Sequence, residues 1–401
     1  MNTTANGWNA TPIRDVCEGI IDCVNKTAPT VEYATPFKMI RTTNVRDGWI
    51  NLDEVRCVVA DTFARWNRRA TPRKGDVILT REAPLGEVGM LRGNEQVFLG
   101  QRLVLYRANP AVLDNRFLLY SFQEAFLQGQ IKSLGSGATV EHMRVPDAEK
   151  LLIRLPSLPV QQRIASILSA YDDLIENNTR RIKILEEMAQ MIYREWFVHF
   201  RFPDHENVRM VESELGLIPE GWRVGRLDDA LVLQRGFDLP TSQRIPSNVP
   251  IIAATGLNGM HNVAKVKGPG VVTGRSGSLG TVMLVWEDFW PLNTALWVKE
   301  FRQSSPIHAY FTLQALDLKG FNSGAAVPTL NRNDIHGLRT VLPDSKILND
   351  FTESAVPLFM LKRNLEAKNL NLRHTRDFLL PKLISGEVSV EAAAELMEQT
   401  A

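Results

Sequence analysis

The stretch Ile164–Trp196, IASILSAYDDLIENNTRRIKILEEMAQMIYREW, decides the fold. Ile164, Leu168, Tyr171, Ile175, Asn178, Ile182, Leu185, Ala189, Ile192 and Trp196 follow one another in alternating steps of four and three. Such an a/d seam, held over more than four heptads, predicts a helix packed along its length on another helix. Pro159 suits the first turn of that helix and Pro203 stops it. At ~1.5 Å per residue, a helix of ~38 residues spans roughly 57 Å. A second seam supplies the partner: Leu358, Leu365, Leu372 and Leu379 recur every seven residues, with Phe351 and Ala355 extending it upstream. Pro357 is expected to kink this second helix and Pro381 to close it, before Ser385-Gly386. Asn178 and Asn369 lie on the seams, where a buried amide fixes register at some cost in stability. The bland alternative is a pair of ordinary amphipathic core helices.

Outward from the helices, the chain repeats itself. Gly7-Trp8 matches Gly221-Trp222, and Ile13-Arg14-Asp15-Val16 matches Leu227-Asp228-Asp229-Ala230 at the same offset. Val77 to Arg81 with Leu85-Gly86 matches Val271 to Arg275 with Leu279-Gly280, and Ser136 to Val140 matches Ser323 to Val327. Each match is weak alone, and their preserved order carries the inference. Within each copy, Asp76 to Thr80 and Gly270 to Thr273 are short, β-branched and glycine-flanked, which predicts strands. Asn115 to Leu127 and Pro306 to Leu316 have helical spacing. The expected fold class is α+β: two similar globular domains separated by two long antiparallel coiled-coil helices, a pseudo-two-fold internal repeat. The expected boundaries are 1–154 and 204–342 for the globular domains, 155–203 and 343–386 for the helical regions, and 387–401 for a tail.

The 401 residues suffice for two or three domains, and 44% hydrophobic content supplies their cores. A formal charge of +1 does not announce a nucleic-acid binder, so any basic surface has to be local. Cys17, Cys23 and Cys57 lack zinc-ligand spacing and read as reduced thiols. With no membrane-length apolar run and no secretory leader, a cytoplasmic, soluble protein is expected.

Motifs for chemistry are missing. Asn109-Pro110-Ala111-Val112 lacks the second proline and the aromatic of an amino-methyltransferase loop. Gly135-Ser136-Gly137 lacks the third glycine of a dinucleotide fingerprint, and Gly274 to Gly280 lacks a P-loop lysine. Pro146-Asp147-Ala148-Glu149-Lys150 is too compressed for a nuclease motif and reads as a solvated turn. The seven histidines (142, 199, 205, 261, 308, 336 and 374) form no metal pair at helical spacing. No catalytic residue, metal site or cofactor is therefore assigned to this chain.

Donor-rich clusters do occur in the globular parts. Arg65, Arg68 and Arg69 surround Trp66-Asn67, with Arg73-Lys74 beyond, and Arg235, Lys265 and Lys267 gather in the second copy. Asn331-Arg332-Asn333 adds a further loop, and Arg81 and Arg275 follow equivalent strands. Arg and Lys anchor phosphates, while Arg with guanine and Asn or Gln with adenine read base edges. For Arg81 and Arg275, phosphate contact or a loop-building role is expected. Base readout is expected where the copies differ most, over 52–74 and 234–266.

The run Leu155-Pro156-Ser157-Leu158-Pro159-Val160-Gln161-Gln162-Arg163-Ile164-Ala165, continuing through Asp172-Asp173 to Asn177-Asn178, resembles the central repeat of type I restriction-modification specificity subunits. Glu195-Trp196-Phe197-Val198 is similar to the end of that repeat, and Ile218-Pro219-Glu220-Gly221-Trp222 to the lead-in of the second recognition domain. Leu379-Leu380-Pro381-Lys382-Leu383-Ile384-Ser385-Gly386 resembles the C-terminal repeat. Asp344-Ser345-Lys346 departs from the pattern where Pro-x-x-Gln-Gln-like residues belong.

The resemblance implies a non-catalytic DNA specificity subunit. Each globular domain would read one half of an asymmetric bipartite site in double-stranded DNA. The helices would set the spacing across major grooves about 34–36 Å apart and dock two methyltransferase subunits. S-adenosylmethionine would sit on those partners, and ATP with Mg on two restriction-translocase subunits that can join. Adenine would be extruded for methylation by the partner. The alternative is a coiled-coil scaffold with repeated protein-binding domains; a self-sufficient DNA enzyme is the third reading. The target sequence is not legible in the chain.

Overall fold

The computed structural model describes residues 8–135, 141–323 and 327–393. Gly7, at the start of one repeat match, lies outside the described residues, as do Ser136 to Val140 and the middle of the matching Ser323–Val327. The chain divides into two compact units: one comprises residues up to Asn177 together with those from Lys368, and the other runs from Asn178 to Ala367.

In the first unit the expected strand forms as Val77–Arg81, every residue of it buried. It is the third strand of an antiparallel sheet ordered Cys17–Asp22, Leu103–Ala108, Val77–Arg81, Leu85–Met90. Three smaller sheets accompany it: Asn9–Pro12 with Leu152–Leu155, Arg56–Cys57 with Lys38–Ile40 and Val97–Leu99, and Val45–Arg46 with Trp49–Ile50. The helical segment expected over 115–127 is two helices, Asn115–Gln123 and Ala125–Leu134. Glu124 separates them because its backbone is extended (φ −80°, ψ 150°) and its carboxylate accepts the Phe126 N–H at 2.9 Å, capping the second helix.

The second unit has the same connectivity. Its four-stranded sheet is ordered Leu231–Arg235, Ala295–Phe301, Gly270–Gly274, Val282–Val285. Arg223–Arg226 pairs with Arg339–Leu342, and a three-stranded sheet joins Gly256–His261, Val249–Ala253 and Trp290–Pro291. The expected helix appears as Pro306–Ala315, capped by the Ser305 hydroxyl, which accepts the His308 N–H. A hairpin, Met210–Ser213 with Gly216–Pro219, leads into this unit.

The long helices are Leu158–Tyr193, followed by a π turn at Arg194–Val198, and Ser345–Ser385. Each contributes one part to each unit. In the first unit Asp172 meets Arg376, and Ile175 accepts a hydrogen bond from Asn369; in the second, Glu186 pairs with Lys362, and Tyr193 packs on Phe351. Partner numbers fall as the first helix rises, so the helices run antiparallel in both units. Ile164, Leu168, Tyr171, Ile175, Asn178, Leu185, Leu365, Asn369 and Leu379 are buried.

Ile182, Ile192, Leu358 and Leu372 are only half-buried. In the second unit Tyr193 and Phe359, one residue beyond Ile192 and Leu358, are buried instead, because the helices there also pack on Ile307 and Phe311 of the globular part. A helix facing two neighbours buries a wider stripe than a two-helix seam.

One expectation is corrected: Pro381 does not close the second helix, which runs through it to Ser385. The stop is Gly386, whose φ of 75° only glycine adopts without strain, with the Gly386 N–H donated to Leu383 O and the Val388 N–H to Lys382 O, both at 3.1 Å. The helix also continues through Pro357. Among the described residues, no helix is long and apolar enough to cross a membrane.

Candidate nucleic-acid interface

In the first unit the predicted cations sit on a small separate core. Helix Ala60–Trp66 packs Phe63 and Trp66 over Met39, Val58 and Phe98, and the Trp66 indole donates to Lys26 O at 3.4 Å. That anchor holds Arg65, Arg68 and Arg69 at the exposed end of the helix. Arg65 donates to Asp61 O and lies 5.9 Å from the Trp66 ring; Arg69 reaches Asp22 at 3.5 Å. Arg68 and Lys74 are exposed, with no ion pair among the described residues. Arg81 is placed differently: 9% exposed, it pairs with Asp22 at 2.9 Å and donates to Met143 O at 3.1 Å. Of the two roles expected for it, building the loop is the one this geometry serves.

In the second unit Arg235 is exposed and lies 3.9 Å from Asp238. The Lys265 ammonium lies 5.1 Å from the Trp290 ring and 6.0 Å from that of Phe237. Lys267 and Arg332 are exposed, without an ion pair among the described residues. Arg275 donates to Asn293 O at 3.3 Å, and its own carbonyl accepts the Leu330 N–H at 2.8 Å. That backbone bond brings the Asn331-Arg332 loop beside Arg275, a juxtaposition that 55 residues of separation hide in the sequence. Asn331 caps the short helix Arg332–His336 by accepting the Asn333 N–H.

Sequence reasoning misses how each globular part is fastened to the helices. In the first unit Asp172 is buried and accepts the Tyr120 hydroxyl at 2.7 Å and an Arg376 N–H at 2.7 Å. Arg92 lies 3.6 Å from it, its guanidinium stacked 3.6 Å from the Trp49 ring centroid. Burial and the adjacent carboxylate together push the Tyr120 hydroxyl well above its ordinary range, so it remains a donor. The fully buried Gln161 amide is saturated: its oxygen accepts the Asp114 N–H at 2.9 Å, and its nitrogen donates to Val112 O and Pro156 O at 3.0 and 2.9 Å.

Asp114 is in turn the cap of helix Asn115–Gln123, so Gln161 ties that cap to the long helix. Gln161→Ala is expected to leave these groups unpaired and cost about 1–3 kcal/mol, read by chemical denaturation, with Gln161→Glu failing to restore it because a carboxylate cannot donate.

The second unit makes the same link with other chemistry. Thr352 on the long helix donates to the Ser305 hydroxyl at 2.8 Å, so again a cap is tied to a helix. At the departure Asp344-Ser345-Lys346, the Asp344 carboxylate accepts the Lys346 N–H at 2.7 Å. Around that link lies an aromatic cluster of Tyr193, Trp196, Phe197, Phe311, Phe351 and Phe359. His308 lies in it, held neutral because burial pushes its pKa down to about 3. Asp147, from the compressed carboxylate motif, pairs with neighbouring Arg144 at 2.8 Å.

The two α+β units share one connectivity, each presents exposed cations, and each has a helix cap tied to a long helix, Asp114 to Gln161 of the first and Ser305 to Thr352 of the second. Residues 6–187 match the family described as type I restriction modification DNA specificity domain. The chain is 27% identical over 343 residues to the type I restriction enzyme MjaIX specificity subunit of Methanocaldococcus jannaschii, covering 79% of this chain and 78% of that one. It is 19% identical to the HindI specificity subunit of Haemophilus influenzae, over 70% of this chain and 78% of the relative. The fold is that of the S subunit of a type I restriction-modification system from M. genitalium, with a TM-score of 0.63, 16% identity, and coverage of 96% and 98% of the two chains. Over most of its length the chain is thus similar to type I restriction-enzyme specificity subunits, and residues 6–187 carry the match to their DNA specificity domain.

Proposed function

We propose that this chain is the DNA specificity subunit of a type I restriction-modification complex, each unit reading one half of an asymmetric bipartite site. The observation that carries the reading is the shared strand order of the two units, each with exposed cations on its globular part. Two copies of one reader address two half-sites, and differences in their loops give the halves different sequences.

The long helices set the spacing and dock two methyltransferase subunits. Leu174, Ile184, Met188, Met191, Leu370 and Phe378 are large apolar side chains left exposed along them, which favours a protein partner there. Methyl transfer to adenine from S-adenosylmethionine belongs to those partners, as does ATP-driven restriction where translocase subunits join. The protein scaffold remains the alternative, and DNA binding separates the two.

Exchanging residues 1–154 for those of a relative is expected to change one half-site of the N6-methyladenine motif in the host genome and leave the other half and the spacer intact. Sequencing of methylated adenines reads this directly. A motif altered in both halves would overturn independent reading, and an unaltered motif would overturn the specificity role.

A further inference from the structure

The two units differ in charge at one equivalent place. Backbone hydrogen bonds fix the correspondence. The Arg81 N–H donates to Arg102 O and the Arg81 carbonyl accepts from Met143; the Arg275 N–H donates to Thr294 O and its carbonyl accepts from Leu330. The Cys23 N–H donates to Leu103 O, and the Gly236 N–H to Ala295 O. Arg275 therefore stands where Arg81 does, and Arg235, one residue before Gly236, stands where Asp22 does.

In the first unit this place is an ion pair, Asp22 with Arg81 at 2.9 Å, and the next residue, Glu82, pairs with Arg102 at 3.3 Å. In the second unit both carboxylates are gone: Arg235 replaces Asp22 and Ser276 replaces Glu82. Among the described residues Arg275 has no carboxylate partner, and its guanidinium rests on the Asn293 carbonyl. Arg235 has only Asp238, 3.9 Å away and itself 73% exposed, and Asp238 also accepts the Asn293 amide. Lys265 adds a third cation against Phe237, two residues from Arg235. Gly236 locks the segment in place, since a Cβ there would meet Leu292 O at 2.2 Å.

The Glu82–Arg102 pair is replaced as a whole by Ser276 and Thr294, whereas the exchange of Asp22 for Arg235 leaves three cations with one solvated carboxylate, which call for an anion from outside. We infer that Arg235 and Arg275 form a phosphodiester clamp peculiar to the second unit, with Lys265 beside it, whereas Arg81 holds its loop together and touches no DNA. This rests on the specificity-subunit reading above. The clamp fixes the second unit on the backbone and carries no base information, so its loss weakens binding to all sequences alike.

The test uses the full chain assembled with its methyltransferase partner and a random-sequence duplex, reading affinity by fluorescence anisotropy across a salt series. Each phosphate contact contributes about 0.9 to the slope of log K against log salt. Arg275→Gln is expected to lower the slope by about 1, and Arg235→Asp, which installs the first unit's ion pair, by about 2. Arg81→Gln is expected to leave the slope unchanged and lower the melting temperature. A wild-type slope for Arg275→Gln, or a loss for Arg81→Gln equal to that of Arg275→Gln, overturns the clamp while leaving the specificity reading intact. Absence of salt-sensitive binding by the unmodified complex overturns both.

Discussion

Asp172→Ala is expected to destabilise the first unit by about 3 kcal/mol, because it strands two half-buried cations and a buried hydroxyl rather than removing a surface pair. The carboxylate is 3% exposed and is reached by Tyr120 and Arg376 at 2.7 Å and by Arg92 at 3.6 Å. Tyr120 and Arg92 come from the globular part, Asp172 from the first long helix and Arg376 from the second, so one side chain joins three elements of the unit. Arg92 retains Asp173 at 3.6 Å and its stack on Trp49, but Arg376 retains only the exposed Asp377. At roughly 2–4 °C per kcal/mol for a unit of this size, the calorimetric transition should fall by roughly 10 °C. Asp172→Leu combined with Arg376→Met should cost less than Asp172→Ala alone, since charge and countercharge leave together. A shift under about 1 kcal/mol would reduce the network to the worth of an exposed pair.

Phe351→Ala should cost the second unit about 3–5 kcal/mol, the usual penalty for emptying an aromatic position that cannot collapse. Phe351 is 0% exposed and its ring centre lies 4.9 Å from Phe197, 6.0 Å from Trp196 and 6.2 Å from Tyr193. Phe351→Leu keeps most of the volume and should cost well under half as much.

His308, 6.5 Å from the same ring, gives the cluster a pH signature. Its pKa falls from 6.5 to about 3 in the fold, so its contribution is complete above pH 6.5 and is lost progressively as pH drops toward 3. Denaturant titrations at pH 7.5 and 5 should show that loss, and His308→Gln should flatten this part of the pH dependence. Equal losses in both proteins would place the acid sensitivity elsewhere.

Much of this architecture is legible because its signals are local. The strands Val77–Arg81 and Gly270–Gly274 announce themselves by β-branched runs between glycines, and the long helices by leucine and isoleucine spacing. What stays hidden depends on partners remote in the chain. Nothing near Asp172 points to Arg376, 204 residues away, or to Tyr120, 52 away. The likeness of Arg81 to Arg275 is plain in sequence, yet their different surroundings emerge only once strand register sets Asp22 opposite Val104 and Arg235 opposite Leu296. Pro381 misleads for a local reason: proline removes one donor, but the surrounding contacts of Leu379, Leu380 and Leu383 hold the helix for a further turn.

The unlike fastenings of the two units bear on how such a chain can be recombined. A transplanted head brings its own Tyr120- and Arg92-like groups, or fails to, while Asp172 and Arg376 stay behind on the recipient's helices. Grafts from donors that offer only apolar surface at those positions would strand a carboxylate in a dry seam. Workable donors should therefore sort by the hydroxyl and guanidinium they bring to that junction, independently of the DNA sequence they read.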